Sequence, residues 1–205
     1  FLTAAVLVLG ACSDSGAPIA GPEIADLTTV AADGFGGEST YTVTIENLTG
    51  GQPFTPPLTV THRAAASLFS LGEMASVGLQ EIAENGNLAP ALAALNGAKH
   101  ISEVFVAVAG NPPPLMPGQS VSFEMTTSLG ARQLSFVSMM ICSNDGFTGV
   151  DGLKLPSKVG KSVSADLQAY DAGTEINTES FDDLVPPCPP LTGVPSLRMR
   201  SAPPP

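Results

Sequence analysis

Two short acidic stretches contain the side chains best suited to chemistry in this chain. Residues 142–153 form a glycine-rich stretch directly after the apolar run 134–141, and residues 170–175 form a second turn-like stretch. The acidic residues are Asp145 and Asp151 in the first stretch, and Asp171 and Glu175 in the second. Strands of a sandwich return to the same end and bring their loops together, so the two stretches predict one oxygen-rich site.

Such a site is suited to a hard divalent cation. Carboxylates that converge within about 4 to 6 Å repel one another, and a cation among them keeps them ionised at little cost. Calcium takes about 6 to 8 oxygen ligands from carboxylates, carbonyls and water in adaptable geometry, so it is the predicted cofactor. The alternative is that each aspartate only hydrogen-bonds the backbone of its own turn, as aspartates beside glycines often do.

The charge and composition of the chain restrict its partners and its fold. The 205 residues include 8 Lys plus Arg against 19 Asp plus Glu, a formal charge of -11, which argues against nucleic acid and against simple attraction to anionic lipid. The 21 glycines, the 19 prolines and the lack of tryptophan are typical of turns and short strands. The length leaves room for one domain with a substantial core.

The sequence contains no recognisable motif for catalysis. Its two histidines, His62 and His100, do not form an HExxH zinc motif, and there is no GxSxG or phosphate-binding glycine loop. The aspartate spacing also differs from that of an EF-hand. We therefore predict that the chain is not an enzyme, with a metal-assisted hydrolase that uses Asp145 and Asp171 as the alternative.

The first 12 residues are interpreted as the remnant of a signal peptide, because they are apolar, uncharged and too short to span a bilayer. They end in Leu-Gly-Ala-Cys at Cys12, which resembles the lipobox of bacterial lipoproteins. That resemblance implies acyl chains on Cys12 and a stable membrane anchor in the cell envelope, at the outer membrane or the cell surface. We assign residues 13–38 to a flexible tether, 39–185 to the folded domain and 186–205 to a proline-rich tail.

Cys142 and Cys188 remain once Cys12 is set aside. In an exported protein two remaining cysteines are expected to form a disulfide, here one that joins the tail to the base of the first acidic stretch. The alternative is a buried thiol at Cys142 and an unpaired one at Cys188.

Hydrophobic periodicity predicts many short strands and one helical excursion. Alternating or continuously apolar segments predict strands at 39–48, 58–62, 101–109, 121–126, 134–141, 153–155 and 162–170. Helical spacing predicts one helix from a capping box at Ser70 to a stop at Asn85 and Gly86, and a second helix at 88–95. Short strands separated by turns predict an all-β fold, an antiparallel β-sandwich with a short two-helix insertion.

Several segments, taken together in order, resemble the spondin N-terminal domain family. They are residues 54–57, 72–76, 83–86, 143–151 and 170–175. The resemblance implies a β-sandwich similar to calcium-dependent membrane-binding domains, a bound calcium ion and a role in adhesion. The calcium ligands that it implies are Glu124, Asp145 and Asp171, with Asp151 and Glu175 as further ligands or supporting groups.

The resemblance weakens at the C-terminus. Prolines make residues 186–205 a poor strand, so either an edge strand is missing or the sequence is altered there. Our first hypothesis is an exported, lipid-anchored, calcium-binding module that recognises an unknown surface protein or glycan. The alternatives are the hydrolase and a structural envelope lipoprotein in which calcium only makes the loops rigid.

Overall fold

The computed structural model of the protein describes residues 25–33, 37–110, 113–178 and Leu184. Within these residues the chain forms nine strands and two helices. The strands are β1 (Ala25–Asp33), β2 (Ser39–Asn47), β3 (Leu58–His62), β4 (Ile101–Val106), β5 (Ser120–Thr127), β6 (Gln133–Met139), β7 (Gly146–Lys154), β8 (Ser162–Leu167) and β9 (Ala169–Asp171). The helices are α1 (Val77–Asn85) and α2 (Ala89–Leu95), both between β3 and β4.

The strands make two antiparallel sheets that pack face to face. One sheet has the order β5-β2-β1-β8 and the other the order β4-β3-β6-β7-β9. Strand β5 lies against β3 and β4, and β8 lies against β7, which sets the two sheets over one another. The predicted fold class, an antiparallel β-sandwich with a two-helix insertion, is therefore confirmed.

The core between the sheets follows from the period of two along the strands. On β2, Tyr41, Val43 and Ile45 are buried and pack in the same cluster as Phe136 of β6. At one edge of the sandwich the rings of Phe105 and Phe123 stack at 4.7 Å between centroids, which joins β4 to β5. Burial of each such large apolar side chain contributes roughly 1.5 to 3 kcal/mol, so this cluster is the main source of the sandwich's stability.

The two helices cover the outer face of the five-stranded sheet. Leu79 and Ile82 of α1 pack there against Val137 and Met139 of β6. Strand β6 is consequently buried on both faces, which explains why the run 134–141 is almost continuously apolar instead of alternating.

The first helix begins later than the sequence predicts. The side chain of Ser76, not that of Ser70, caps α1, because Ser76 Oγ accepts the N–H of Leu79 at 3.2 Å. The predicted stop is confirmed, since Gly86 adopts a left-handed φ of 63° at the C-cap. The predicted second helix corresponds to α2, with Pro90 in its first turn.

Residues 25–33, predicted to be part of a flexible tether, form a central strand. Strand β1 pairs with β2 on one side and with β8 on the other. Ala25, Leu27 and Thr29 face the interior and are buried. The alternation was missed because its inward positions include an alanine and a threonine, which carry little hydrophobic signal.

Two further strands differ from the prediction. Strand β7 starts at Gly146, so most of the stretch 142–153 is extended strand instead of loop. The predicted strand 162–170 is divided at Gln168 into β8 and β9, which lie in different sheets. A chain that switches sheets at a corner keeps its apolar alternation on both sides, so periodicity does not reveal the break.

Candidate functional site

Asp145 lies at the junction of the two acidic stretches and holds them together. Its side chain is only 2% exposed. Its Oδ2 atom accepts the backbone N–H of Thr174 at 2.6 Å, the Thr174 hydroxyl at 3.2 Å and the N–H of Glu175 at 3.0 Å. Its carbonyl also accepts the N–H of Ala172 at 3.1 Å. Hydrogen bonds to a charged acceptor are stronger than neutral ones, so this carboxylate fixes the second loop on the first.

Asp171 lies beside this junction but remains exposed. It ends β9, where it pairs with Gly146 of β7, the residue after Asp145. Its Oδ1 accepts the N–H of Gly173 at 2.6 Å, and its Oδ2 accepts Nδ2 of Asn177 at 3.0 Å. The structure thus brings the segments of Asp145 and Asp171 together at one end of the five-stranded sheet.

Asparagines extend the contact between the two loops. Asn144 Nδ2 donates to the carbonyl of Ile176 at 3.1 Å and lies 3.4 Å from Oδ1 of Asn177. We call residues 142–145 together with 171–177 the two-loop rim. Sequence reasoning did not single out Thr174 or Asn177, because their role depends on pairing between β7 and β9 instead of on local pattern.

Glu124 is not part of the two-loop rim. It lies on β5, an edge strand of the other sheet, opposite Thr42 of β2, and its side chain is exposed. Strand β5 lies over β3 and β4, whereas Asp171 lies on β9 at the opposite edge of its sheet. Across residues 25–33, 37–110 and 113–178, no three His, Cys, Asp or Glu residues lie together in a group that could hold a metal ion. The three-carboxylate cluster implied by the sequence is therefore not assembled by these residues.

Asp151 is also outside the rim, because it lies six positions beyond Asp145 along extended strand, a span of roughly 20 Å. Its carboxylate accepts the Ser67 hydroxyl at 2.8 Å, the Leu68 N–H at 2.7 Å and the Ser135 hydroxyl at 2.9 Å. It therefore ties the segment between β3 and α1 to the sheet. Calcium coordination by Asp151 stays a prediction. The observed role of Asp151 is to hold the segment between β3 and α1 on the sheet.

Ser135 links Asp151 to a buried histidine. Nε2 of His62 lies 2.6 Å from Ser135 Oγ, and Nδ1 of His62 lies 2.9 Å from the Arg63 carbonyl. The N–H of Gly152 donates to the same serine oxygen at 2.8 Å. The serine stands between the histidine and the carboxylate, whereas a catalytic triad places the histidine between the other two. The order of these three groups is therefore not that of a catalytic triad, and their hydrogen bonds connect β3, β6 and β7.

The remaining predicted site residues are described in part. The N–H of Glu175 is bound to Asp145, as given above. Cys142 is disulfide-bonded and has a positive φ of 70°. Cys188, Cys12 with its proposed acyl chains, and the proline-rich tail lie outside the described residues. In the described part of the chain, neither helix has the length and apolarity needed to cross a bilayer.

A family model of known proteins matches most of this chain. The family model Spondin_N matches residues 46–190, which include everything from β3 to β9 and the whole two-loop rim. No curated protein matches. The matched family consists of non-enzymatic modules of the extracellular, adhesion type. Because the match covers well over half of the sequence and agrees with the observed sandwich, the chain belongs to the spondin N-terminal domain family.

Proposed function

We propose that this chain is an exported, lipid-anchored module of the bacterial cell envelope that recognises a surface protein or glycan through its two-loop rim. The buried carboxylate of Asp145 is the observation that carries the proposal. It binds Thr174 and Glu175 of the second loop and so makes one preorganised surface from two loops. Binding surfaces are commonly built from loops that a rigid scaffold positions, and preorganisation lowers the entropy lost on binding.

The outer side of the rim offers groups suited to recognition. Asp171 and Gly173 are exposed, and the side chain of Ile176 is 66% exposed. An exposed apolar side chain surrounded by hydrogen-bonding groups can contact a sugar ring or an apolar protein residue while its neighbours bind polar groups. The family's adhesion-type role supports this use of the rim.

A calcium ion at the rim would have fewer carboxylate ligands than the family resemblance implied. Asp171 would supply one, because each of its oxygens accepts one N–H and keeps a second lone pair for a cation. Asp145 would bind only through Oδ1, because its Oδ2 already accepts three donors. Backbone carbonyls, asparagine oxygens and waters would complete the 6 to 8 ligands that calcium takes. Because few carboxylates give weak sites, we place the affinity near the 10⁻⁴ to 10⁻³ M range of extracellular modules.

Thermal unfolding with and without calcium tests the metal proposal. Calcium at about 100 times its dissociation constant should stabilise the fold by about 2.7 kcal/mol and raise the midpoint by roughly 5 to 10 °C. Asp171→Asn should remove this shift, and Glu124→Gln, which changes an exposed carboxylate of the other sheet, should retain it. An equal shift in both variants would place calcium elsewhere than the rim.

A capture experiment tests recognition. The chain is immobilised, and the binding of envelope or host glycans and surface proteins to it is measured. We expect capture by the wild-type chain to weaken in Ile176→Asp, which alters an exposed rim residue, and to persist in Leu129→Asp, a matched change at a distant residue that is 70% exposed. Equal capture by both variants would show that the rim is not the recognition surface. If the wild-type chain captures nothing, the structural lipoprotein is the better account.

The hydrolase alternative is not favoured by the geometry. Asp145 is 2% exposed, and its Oδ2 is occupied by three donors from the second loop. A general base must reach the proton that it removes, directly or through one water molecule. The family is also non-enzymatic.

A further inference from the structure

A cavity of about 570 Å³ lies on the side of the molecule away from the core between the sheets. Its walls are the two helices, the segment between β3 and α1, and the outer face of the five-stranded sheet. This volume is within the range of roughly 300 to 1,000 Å³ that is common for sites of small ligands. The cavity shares no residue with the two-loop rim.

The side chains that line the cavity are mostly apolar. Its floor is formed by Leu58 and Val137 of the sheet and its sides by alkyl groups of the helices, such as Ile82 and Leu95. In the described part of the chain, Ser67 and Ser76 are the only lining residues with uncharged polar side chains, and each already takes part in a hydrogen bond. Such a lining favours an alkyl chain over a sugar or a peptide, whose polar groups would lose hydrogen bonds to water.

Among the described residues that line the cavity, Lys99 is the one with a charged side chain, and none is acidic. Lys99 is exposed, at the end of the α2–β4 connection. In a chain with a formal charge of -11, a cation beside a mostly apolar cavity is a local exception. An alkyl chain in the cavity with a negatively charged end at Lys99 would match both features.

The backbone around Lys99 is held in an unusual conformation. The next residue, His100, has a φ of 76°, which non-glycine residues rarely adopt. Its carbonyl accepts the N–H of Arg63 at 2.9 Å, so the turn is fixed to the segment that forms one wall. Backbone strain that the surrounding structure maintains is found preferentially at ligand sites.

The start of α1 adds a second favourable element for an anion. Val77 and Gly78, the first two residues of this nine-residue helix, line the cavity, and its first turn contains no acidic residue. The first N–H groups of a helix have no partner within the helix and carry a partial positive charge. These N–H groups and the Lys99 ammonium group are the positively charged parts of a lining that is otherwise mostly apolar.

We propose that this cavity binds the alkyl chain of a monoanionic amphiphile, a fatty acid or the acyl chain of an anionic lipid, with its charged group at Lys99. This site is separate from the rim and does not depend on calcium or on recognition there. It gives an exported adhesion module a second site, specific for a lipid-like molecule.

Calorimetric titration of the full chain with dodecanoate tests the proposal. We expect one molecule bound per chain, with dodecyltrimethylammonium, which has the same alkyl chain and the opposite charge, binding at least about fivefold more weakly. Lys99→Glu should weaken dodecanoate binding by a similar factor, whereas Lys158→Glu, an equal charge change at an exposed residue outside the cavity, should not. Acetate should not bind, because it lacks the alkyl chain.

Two further measurements keep the proposal falsifiable. Ala94→Phe, at an exposed position of the lining, should fill the opening and reduce binding more than tenfold, with circular dichroism confirming that the variant folds. Flotation with phosphatidylglycerol vesicles distinguishes the two possible sources of the alkyl chain. If the protein binds the vesicles and dodecanoate competes for this binding, the ligand is a lipid acyl chain. If the protein binds dodecanoate but not the vesicles, the ligand is a free fatty acid. Absence of both, or equal binding by the Lys99 and Lys158 variants, overturns the proposal.

Discussion

Thr174 donates its backbone N–H to Oδ2 of Asp145 at 2.6 Å, across 29 residues of sequence. The bond joins the end of the β6–β7 connection to the loop after β9. Since Asp145 is 2% exposed, water does not readily replace it as the acceptor. The two loops therefore behave as one structural unit, and the rim's shape depends on this carboxylate.

Asp145→Ala should lower the free energy of unfolding by about 1 to 3 kcal/mol, because it leaves the N–H groups of Thr174 and Glu175 without their buried acceptor. Urea unfolding in the presence of a calcium chelator measures this loss. Asp171→Ala is the matched control in the same rim. Its carboxylate is exposed, so water can replace it as the acceptor for the N–H of Gly173. We therefore expect the free energy of unfolding to change by no more than about 0.5 kcal/mol. Equal losses in the two variants would contradict the distinction.

Asp151→Ala should release the segment between β3 and α1. The variant leaves the Leu68 N–H and the Ser67 and Ser135 hydroxyls without their shared acceptor. We expect a loss of about 1 to 3 kcal/mol and faster hydrogen exchange at Leu68. Exchange at Thr174 provides the internal control, because the rim lies at the other end of β7. Unchanged exchange at Leu68 would show that Asp151 does not hold this segment.

Gly149→Ala should be strongly destabilising. A Cβ atom there would lie 2.3 Å from the carbonyl oxygen of Phe136 and 3.3 Å from the ring of Phe69. Since backbone and ring must both move, we expect a loss of about 1 to 3 kcal/mol or more by urea unfolding. Gly51→Ala is the control, because its Cβ would meet nothing within 4 Å. A similar loss at both positions would argue against close packing as the cause.

Asp26→Asn should stabilise the protein. Asp26 lies between two other acidic residues, opposite Glu46 of β2 and Asp166 of β8, and its Oδ1 is buried without a hydrogen-bond partner among the described residues. Like charges opposite one another on a sheet are unfavourable, so we expect a gain of about 0.2 to 1 kcal/mol. The gain should shrink at 1 M salt, where charges are screened within about 3 Å. Glu38→Gln, an exposed change outside the row, should give none.

Peptide mapping without reduction should identify Cys188 as the disulfide partner of Cys142. Cys142 is disulfide-bonded. If the chain is exported and Cys12 carries the proposed lipid, Cys188 is the cysteine left to pair with Cys142. Loss of the bond in Cys142→Ser should cost roughly 2 to 5 kcal/mol. Recovery of a peptide that links Cys142 to Cys12 would refute both the pairing and the lipid anchor.

The sequence by itself determined the fold class, the family and most of the element positions. The predicted strand at 58–62 coincides with β3, and the one at 39–48 with β2 to within one residue. Strand β2 packs one apolar face against the core, so its sequence alternates with the period of a strand. Strand β3 is buried at all five positions, and its short length next to turn residues identifies it. The glycine that ends α1 was readable for a similar reason, because few other residues adopt its left-handed conformation.

Only the tertiary structure decided how the acidic residues are used. In the sequence, Asp145 and Asp151 are acidic residues beside predicted strands, and Glu124 is one on the polar face of a predicted strand. Pairing of β7 with β9 places Asp145 in the rim. Asp151 binds the segment between β3 and α1. Glu124 lies on the opposite sheet. A carboxylate's partners are chosen by strand order and sheet stacking across long sequence separations, and local periodicity contains no information about either.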